Sequence, residues 1–304
     1  MVEIKNYILA NNLGKILENE PMSNHTYVKT GGKVKFLYEP KSIESLSLVL
    51  KQLKKHKIEF FVIGRGSNTL FDDNEINVFL IKISNILDKI VIDEDEVTVG
   101  SGYSLQMLSK KVSKCGLEGL EFAGGIPGTV GGAIYMNAGA HTGEMNDVVT
   151  LVKTLDHNGE IKEYTKDSCK FSYRESVFQE NKEIIIEVQL KLNSADRAKT
   201  FKRMSGNLEY RKEMQPLELP SFGSVFKNPD GYHAGKLIEE AGLKGHTIGG
   251  VQVSNKHANF FVNVNNATTS DYINLIKHVQ EKVKEQKGID LQTEVIIVKG
   301  DNNE

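Results

Sequence analysis

Between Ala123 and Ala140 the chain reads AGGIPGTVGGAIYMNAGA, with glycine at 124, 125, 128, 131, 132 and 139. Each glycine loses more backbone entropy on ordering than an alanine would, so a cluster of them needs a compensating contact. One such contact is a flat ring system or a pyrophosphate lying against the backbone and using its N–H groups. A tight structural loop with several left-handed turns is the alternative. Two features weigh against that alternative. Ile126, Val130, Ile134, Tyr135 and Met136 interleave the glycines and predict a buried segment, whereas ordinary turn clusters are polar. Pro127 fixes φ beside Gly128 and stiffens the path. The expectation is a rigid cradle of small residues for a cofactor.

Composition bounds the partners. At 304 residues the chain can bury a sizeable core, and the length suggests two domains or one with an appendage. A formal net charge of −2, no Trp and no basic-aromatic stripe give no reason to expect nucleic acid or an anionic membrane. Lys51, Lys54, Lys55 and Lys57 read as a solvated helix face. Cys115 and Cys169 have no CxxC or His-rich neighbourhood, so neither zinc nor a disulfide framework is indicated. The N-terminus carries both charge signs and lacks an uninterrupted apolar core, and no apolar run could span a bilayer. A cytoplasmic protein, taken as a monomer, is expected.

In chain order, residues 3 to 19 predict a helix, and a strand ends at Pro40. Ser42 caps a helix running to about His56. The strand Phe60–Ile63 runs into Gly64-Arg65-Gly66-Ser67-Asn68, which alone reads more readily as a plain turn but, paired with the later glycine-rich segment, can present N–H groups and a hydroxyl to a phosphate as a second wall of one site. Residues 69 to 77 look loop-like, so the dinucleotide fingerprint is not met. Ser104 opens a helix stopped by Gly116, and Asp156-His157-Asn158-Gly159 marks a hairpin. Ile184–Leu192 reads as an interior strand. A polar helix follows, with a domain boundary near 200. Beyond it come strands at 222–226, 250–253, 259–264 and 291–298 and helices at 235–241 and 270–286, a small α+β unit.

Three polar side chains stand where the local pattern demands apolar ones. In LQTEVIIV, alternation puts Glu294 on a face with aliphatic neighbours, where an unpaired carboxylate pairs with a cation or takes up a proton. Arg174 sits among Phe171, Tyr173, Val177 and Phe178, company in which a guanidinium usually grips a carboxylate or phosphate. Ser224 follows Gly223 in an apolar strand, with room beside it for a ligand. Each also reads as a satisfied structural group. Together they could bind and protonate a carboxylated substrate.

GRGSN, the 123–140 segment, YRES, GSVFKNP, AGKLIEEAGLKG, GGVQVSNKHANF and LQTEV occur in an order that resembles the UDP-N-acetylenolpyruvoylglucosamine reductase family, from about Asn24 to Val298. The resemblance implies an α+β chain. A two-subdomain FAD-binding region of the vanillyl-alcohol-oxidase (PCMH) type, residues 1–85 and 86–200, would precede a smaller substrate-binding domain, 201–304. FAD would lie between the first two subdomains, its pyrophosphate on Gly64, Arg65, Gly66, Ser67 and Asn68. Its ring would lie against Ala123, Gly124, Ile126, Pro127, Gly128, Thr129, Gly131, Gly132, Asn137, Ala138 and Gly139. NADPH would deliver hydride to the flavin, and the flavin to the β-carbon of an enolpyruvyl nucleotide sugar, on the path to peptidoglycan.

The same resemblance implies that Arg174 holds the substrate carboxylate, Glu294 stabilises the enolate and Ser224 protonates the α-carbon. Tyr173, Lys227, Asn228 and Gln252 would contact the nucleotide sugar. Only 50 positions separate Arg174 from Ser224, which matches the subtype without an inserted tyrosine-bearing loop. A related FAD oxidase using O₂ would keep the cradle without needing Arg174, Ser224 and Glu294 together. A nucleotide-sugar-binding module with no redox role would be colourless.

Overall fold

The computed structural model describes residues 1–83 and 87–300. The described residues form two compact units, one of residues 1–18, 36–65, 78–83 and 87–210, the other of 19–35, 66–77 and 211–300. Both are discontinuous in sequence, whereas the expected division is contiguous; its boundary at 85/86 lies outside the described residues.

Two sheets carry the first unit. In one the strand order is Gly14–Pro21, Lys33–Pro40, Ile76–Lys82, Phe60–Ile63, the last two parallel. The helices Val2–Ala10 and Ile43–Lys55 bury Ile4, Ile8, Leu46, Val49 and Leu50 with Tyr38 and Phe79. Ser42 caps the second helix, its side chain accepting from Ser45 N–H at 3.1 Å, as expected. The first helix is shorter than the predicted 3–19. Asn12 takes a left-handed φ of 50°, and the N–H groups of Asn12 and Leu13 return to Leu9 and Ile8 at 3.2 and 3.0 Å. That closure ends the helix at Ala10 and frees Gly14–Pro21 to become a strand.

The other sheet is antiparallel, in the order Ile161–Thr165, Val149–Leu155, Ile184–Lys191, Glu96–Gly100, Ile90–Asp93. Ile184–Lys191 is central, and its residues at 184, 185, 186, 188 and 190 are buried. The helix Leu105–Lys114 and the short helix Val130–Tyr135 share a core with this sheet. Ser104 caps the former, and Gly116 takes φ 78° just beyond it.

The second unit is a small α+β body. The strands Thr247–Ile248, Val251–Val253 and Phe261–Asn263 form an antiparallel meander, joined in one core by the helices Ala234–Glu240 and Thr269–Lys287. Thr69–Phe71, expected as loop, is a strand. It pairs in parallel with Ile296–Val298, a partner too distant in sequence to leave a local signal.

Phe222–Phe226, expected as a strand, makes only isolated bridges, Ser224 with Phe260 and Phe226 with Thr293. Gly223 at φ 85° interrupts it. The predicted strand 291–298 changes partner midway, from Phe226 to Asn68 and then to Thr69–Phe71. No described helix is long and apolar enough to cross a membrane.

Candidate functional site

In the first unit, the glycine-rich segment folds as a tight turn, the helix Val130–Tyr135 and a hairpin of Gly139–Ala140 with Gly143–Glu144. Gly128 takes φ 125°, a conformation that needs glycine. Thr129 caps the helix, its Oγ1 accepting from Gly132 N–H at 3.2 Å. The N–H groups of Val130 and Gly131 donate to Tyr103 and Ser101 carbonyls at 2.9 and 2.8 Å. The expectation that this segment offers its N–H groups to a ligand is therefore corrected for these three residues, which spend them on the chain itself.

Most of the glycines are needed by neighbouring protein atoms. A Cβ on Gly64 would stand 2.5 Å from Thr129 Oγ1, one on Gly131 2.9 Å from Ser101 Cβ, and one on Gly139 2.8 Å from Gly143 O. Ala123 is fully buried, and a Cβ on Gly124 would meet Met204 at 2.9 Å. Gly132 differs. It is exposed, and a Cβ there would meet only Thr129 Oγ1, at 3.5 Å.

Arg174 belongs to the same unit. It sits at the tip of a tight turn, at φ 60°, with Nη2 donating to Gly139 O at 2.9 Å and its guanidinium 5.0 Å from the centre of the Tyr173 ring. Asn137 is fully buried. Its Nδ2 donates to Ser172 O at 2.9 Å and its Oδ1 accepts from Asn146 N–H at 3.0 Å, so its side chain ties the turn to the hairpin.

In the second unit, Ser224–Lys227 is held between two strips of chain. Asn259 lies on one side, its side chain accepting from Phe226 N–H at 3.0 Å and donating to Phe226 O at 2.9 Å, while its carbonyl accepts from Val225 N–H at 2.8 Å. On the other side Glu294 N–H donates to Val225 O at 2.8 Å and Lys227 N–H to Gln292 O at 2.9 Å. Alternation in this antiparallel pair puts Lys227 and Glu294 on one face, both half-buried.

Asn68 Nδ2 donates to Glu294 O at 3.1 Å, fixing the backbone that carries the carboxylate. Gly66, at φ 62°, presses so closely on His25 O that no Cβ fits. Asn228 Oδ1 accepts from Ala234 N–H at 3.0 Å, opening the helix Ala234–Glu240, and Gln252 Nε2 donates to Thr247 Oγ1 at 3.1 Å within its own hairpin.

Residues 34–165 match a family described as FAD binding domain, and residues 215–298 the UDP-N-acetylenolpyruvoylglucosamine reductase C-terminal domain. The UDP-N-acetylenolpyruvoylglucosamine reductase of Bacillus pumilus is 43% identical over 99% of this chain and 100% of its own length. The chain belongs to the UDP-N-acetylenolpyruvoylglucosamine reductase family. A second reductase, from Bacillus licheniformis, is 47% identical over 94% of this chain and 95% of its own. The solved structure of the reductase (MurB) from Thermus caldophilus matches with a TM-score of 0.80 at 31% identity, covering 94% of this chain and 98% of that one.

The reductase cofactor is FAD, and the residues present suit it. Gly132 leaves an open, exposed face above the helix, and the buried hydroxyl of Ser101, against which Gly131 packs, has no hydrogen-bond partner among the described residues. Three residues of this reductase escaped the sequence reading. Gln179 and Asn259 act through backbone carbonyls far along the chain. Arg211 is 9% exposed, and burial lowers its guanidinium to about 10. Its Nε donates to Gln215 Oε1 at 2.9 Å, the partner found for it among the described residues. A helix whose average is strongly polar hides a single buried cation, so no pattern marked it.

Proposed function

We propose that Arg174, Ser224 and Glu294 carry the reaction of this family, the FAD-dependent, NADPH-driven reduction of UDP-N-acetylglucosamine enolpyruvate to UDP-N-acetylmuramate in peptidoglycan precursor synthesis. The observation that supports it is similarity to reductases of that name over 99% of the chain. When bound, FAD supplies two-electron chemistry between NADPH and the enolpyruvyl group. The glycine-rich segments, with Gly64, Arg65, Gly66, Ser67 and Asn68 and the residues from Ala123 to Gly139, would hold it.

The chain's own residues do the rest. The planar guanidinium of Arg174 matches a carboxylate in geometry and charge, so it would hold and polarise the substrate carboxylate. Reduction at the β-carbon leaves an enolate, which Glu294 would stabilise by donating a hydrogen bond from its protonated carboxyl group. Ser224 Oγ would give its proton to the α-carbon. A serine at its ordinary acidity is a poor acid, so this step relies on a strongly basic enolate and on positioning. The backbone clamp on Val225 and Phe226 supplies that positioning. Tyr173, Lys227, Asn228 and Gln252 would contact the nucleotide sugar. The protein would act in the cytoplasm, as a monomer.

The test is spectroscopic. Purified protein should be yellow, bleach on anaerobic addition of NADPH and regain colour on addition of UDP-N-acetylglucosamine enolpyruvate. Absence of flavin, or recolouring by air but not by that substrate, sinks the reading. Ser224→Ala should leave bleaching intact and slow recolouring by substrate about 10²- to 10⁴-fold. Equal damage to both halves would remove Ser224 from its role.

A further inference from the structure

Arg174 is held in a conformation that few arginines adopt. The turn Ser172–Glu175 is closed by Ser172 N–H to Glu175 O at 3.2 Å and Glu175 N–H to Ser172 O at 3.1 Å, and Arg174 takes φ 60° within it. A side chain with a Cβ persists there only where its surroundings impose it. Gln179 is part of that surrounding. Its Nε2 donates to Arg174 O at 2.9 Å and to Tyr135 O at 2.8 Å. A carboxamide nitrogen has two protons, and each of these carbonyls takes one. Tyr135 is the last residue of Val130–Tyr135, the helix that carries Gly131 and Gly132.

We propose that Gln179 is a positioning residue for the reaction: its amide sets the direction in which the Arg174 side chain leaves the turn, keyed to the end of the glycine-bearing helix. The inference rests on the role proposed above for Arg174. The side chain is a lever. A backbone rotation of about 10° moves a group about 6 Å away by about 1 Å, and a displacement of that size can cost about 10²-fold in rate. Ser176 supplies an internal comparison. Its Oγ donates to the same Tyr135 carbonyl at 2.8 Å, without bonding the carbonyl of Arg174.

Three variants decide the matter, each checked for folding by its melting temperature and for FAD content. Gln179→Met keeps the length of the side chain and removes both donors. It should bleach with NADPH at the wild-type rate and recolour about 10²-fold more slowly at saturating substrate. Ser176→Ala should leave both rates unchanged. Arg174→Ala should abolish recolouring. If Gln179→Met folds poorly, Gln179→Glu, which places a carboxylate before the two carbonyls, should slow the same half-reaction. The inference is overturned if the Gln179 variant recolours within twofold of wild type, slows both halves alike, or is matched by Ser176→Ala. If Arg174→Ala recolours normally, the role of Arg174 itself falls and the inference with it.

Discussion

The guanidinium of Arg174 donates to the carbonyl oxygen of Gly139 at 2.9 Å, so the cation proposed for the substrate carboxylate is anchored on the segment proposed for the flavin. Lysine cannot reproduce this. Its point charge lacks the planar fork and the face that stacks at 5.0 Å over Tyr173. Arg174→Lys should slow recolouring by substrate about 10²- to 10³-fold, the scale of losing one preorganised donor, while bleaching by NADPH stays intact. Anaerobic stopped-flow measurement of the two halves checks it, and a substrate half-reaction within twofold of wild type would count against the role.

Gly131 and Gly132 are adjacent and should respond in opposite ways. A Cβ at 131 must displace Ser101, 2.9 Å away, so Gly131→Ala should cost about 1–3 kcal/mol in the cofactor-free protein. A Cβ at 132 meets nothing closer than 3.5 Å, so Gly132→Ala should stabilise the cofactor-free helix by about 0.5–1 kcal/mol and yet weaken FAD binding. Denaturant unfolding and flavin titration separate the two effects. Unchanged affinity in Gly132→Ala would show that no ligand rests there.

His257 should make the protein acid-sensitive. Burial lowers its imidazole pKa below the ordinary 6.5; a hydrogen bond to its own backbone opposes this, the charge of Lys244 works in the same direction as burial, and Glu239 opposes it. The folded state therefore resists a proton that the unfolded chain accepts, and stability falls as pH drops below about 6.5. Protonation would also remove the bond that Nδ1 accepts from Asn259 N–H at 3.3 Å. The melting temperature should decline on acidification from pH 7, and His257→Gln should flatten that decline. Identical profiles for the two proteins would refute it.

Tyr272 places a hydroxyl in the core of the second unit. The residue is fully buried, its oxygen has no hydrogen-bond partner among the described residues, and burial raises its pKa. Removing an unpaired buried hydroxyl relieves a desolvation cost. Tyr272→Phe keeps the ring that lies 5.2 Å from Phe222 and should be neutral or up to about 1 kcal/mol stabilising by denaturant unfolding. A comparable loss would contradict the reading.

What could be read from the chain alone was what is written locally. Ser42 and Ser104 cap the helices they were expected to cap, and Asp156 accepts from Asn158 N–H at 2.8 Å at the expected hairpin. Arg174, Ser224 and Glu294, the residues proposed for the reaction, stand out locally as polar groups in apolar company. Distant pairing was invisible. Thr69–Phe71 becomes a strand through residues beyond 295, and Phe226 is clamped by a side chain 33 positions away. Gln179 reaches Tyr135 across 44 positions, and a glutamine in the one-turn helix Phe178–Asn181 carries no signal of such a task. Most of the glycines accommodate the protein's own backbone and side chains, a demand that their clustering in the sequence does not distinguish from room for a ligand.

That last point bears on how the protein can be handled. Because Ser101, Thr129 and the Gly139–Glu144 hairpin fill the space beside the glycines, the segment proposed for the flavin is braced by the protein's own atoms. Stripping the flavin should leave a receptacle rather than a collapsed chain, and altered flavins of different redox potential could be exchanged into it at equilibrium, without refolding.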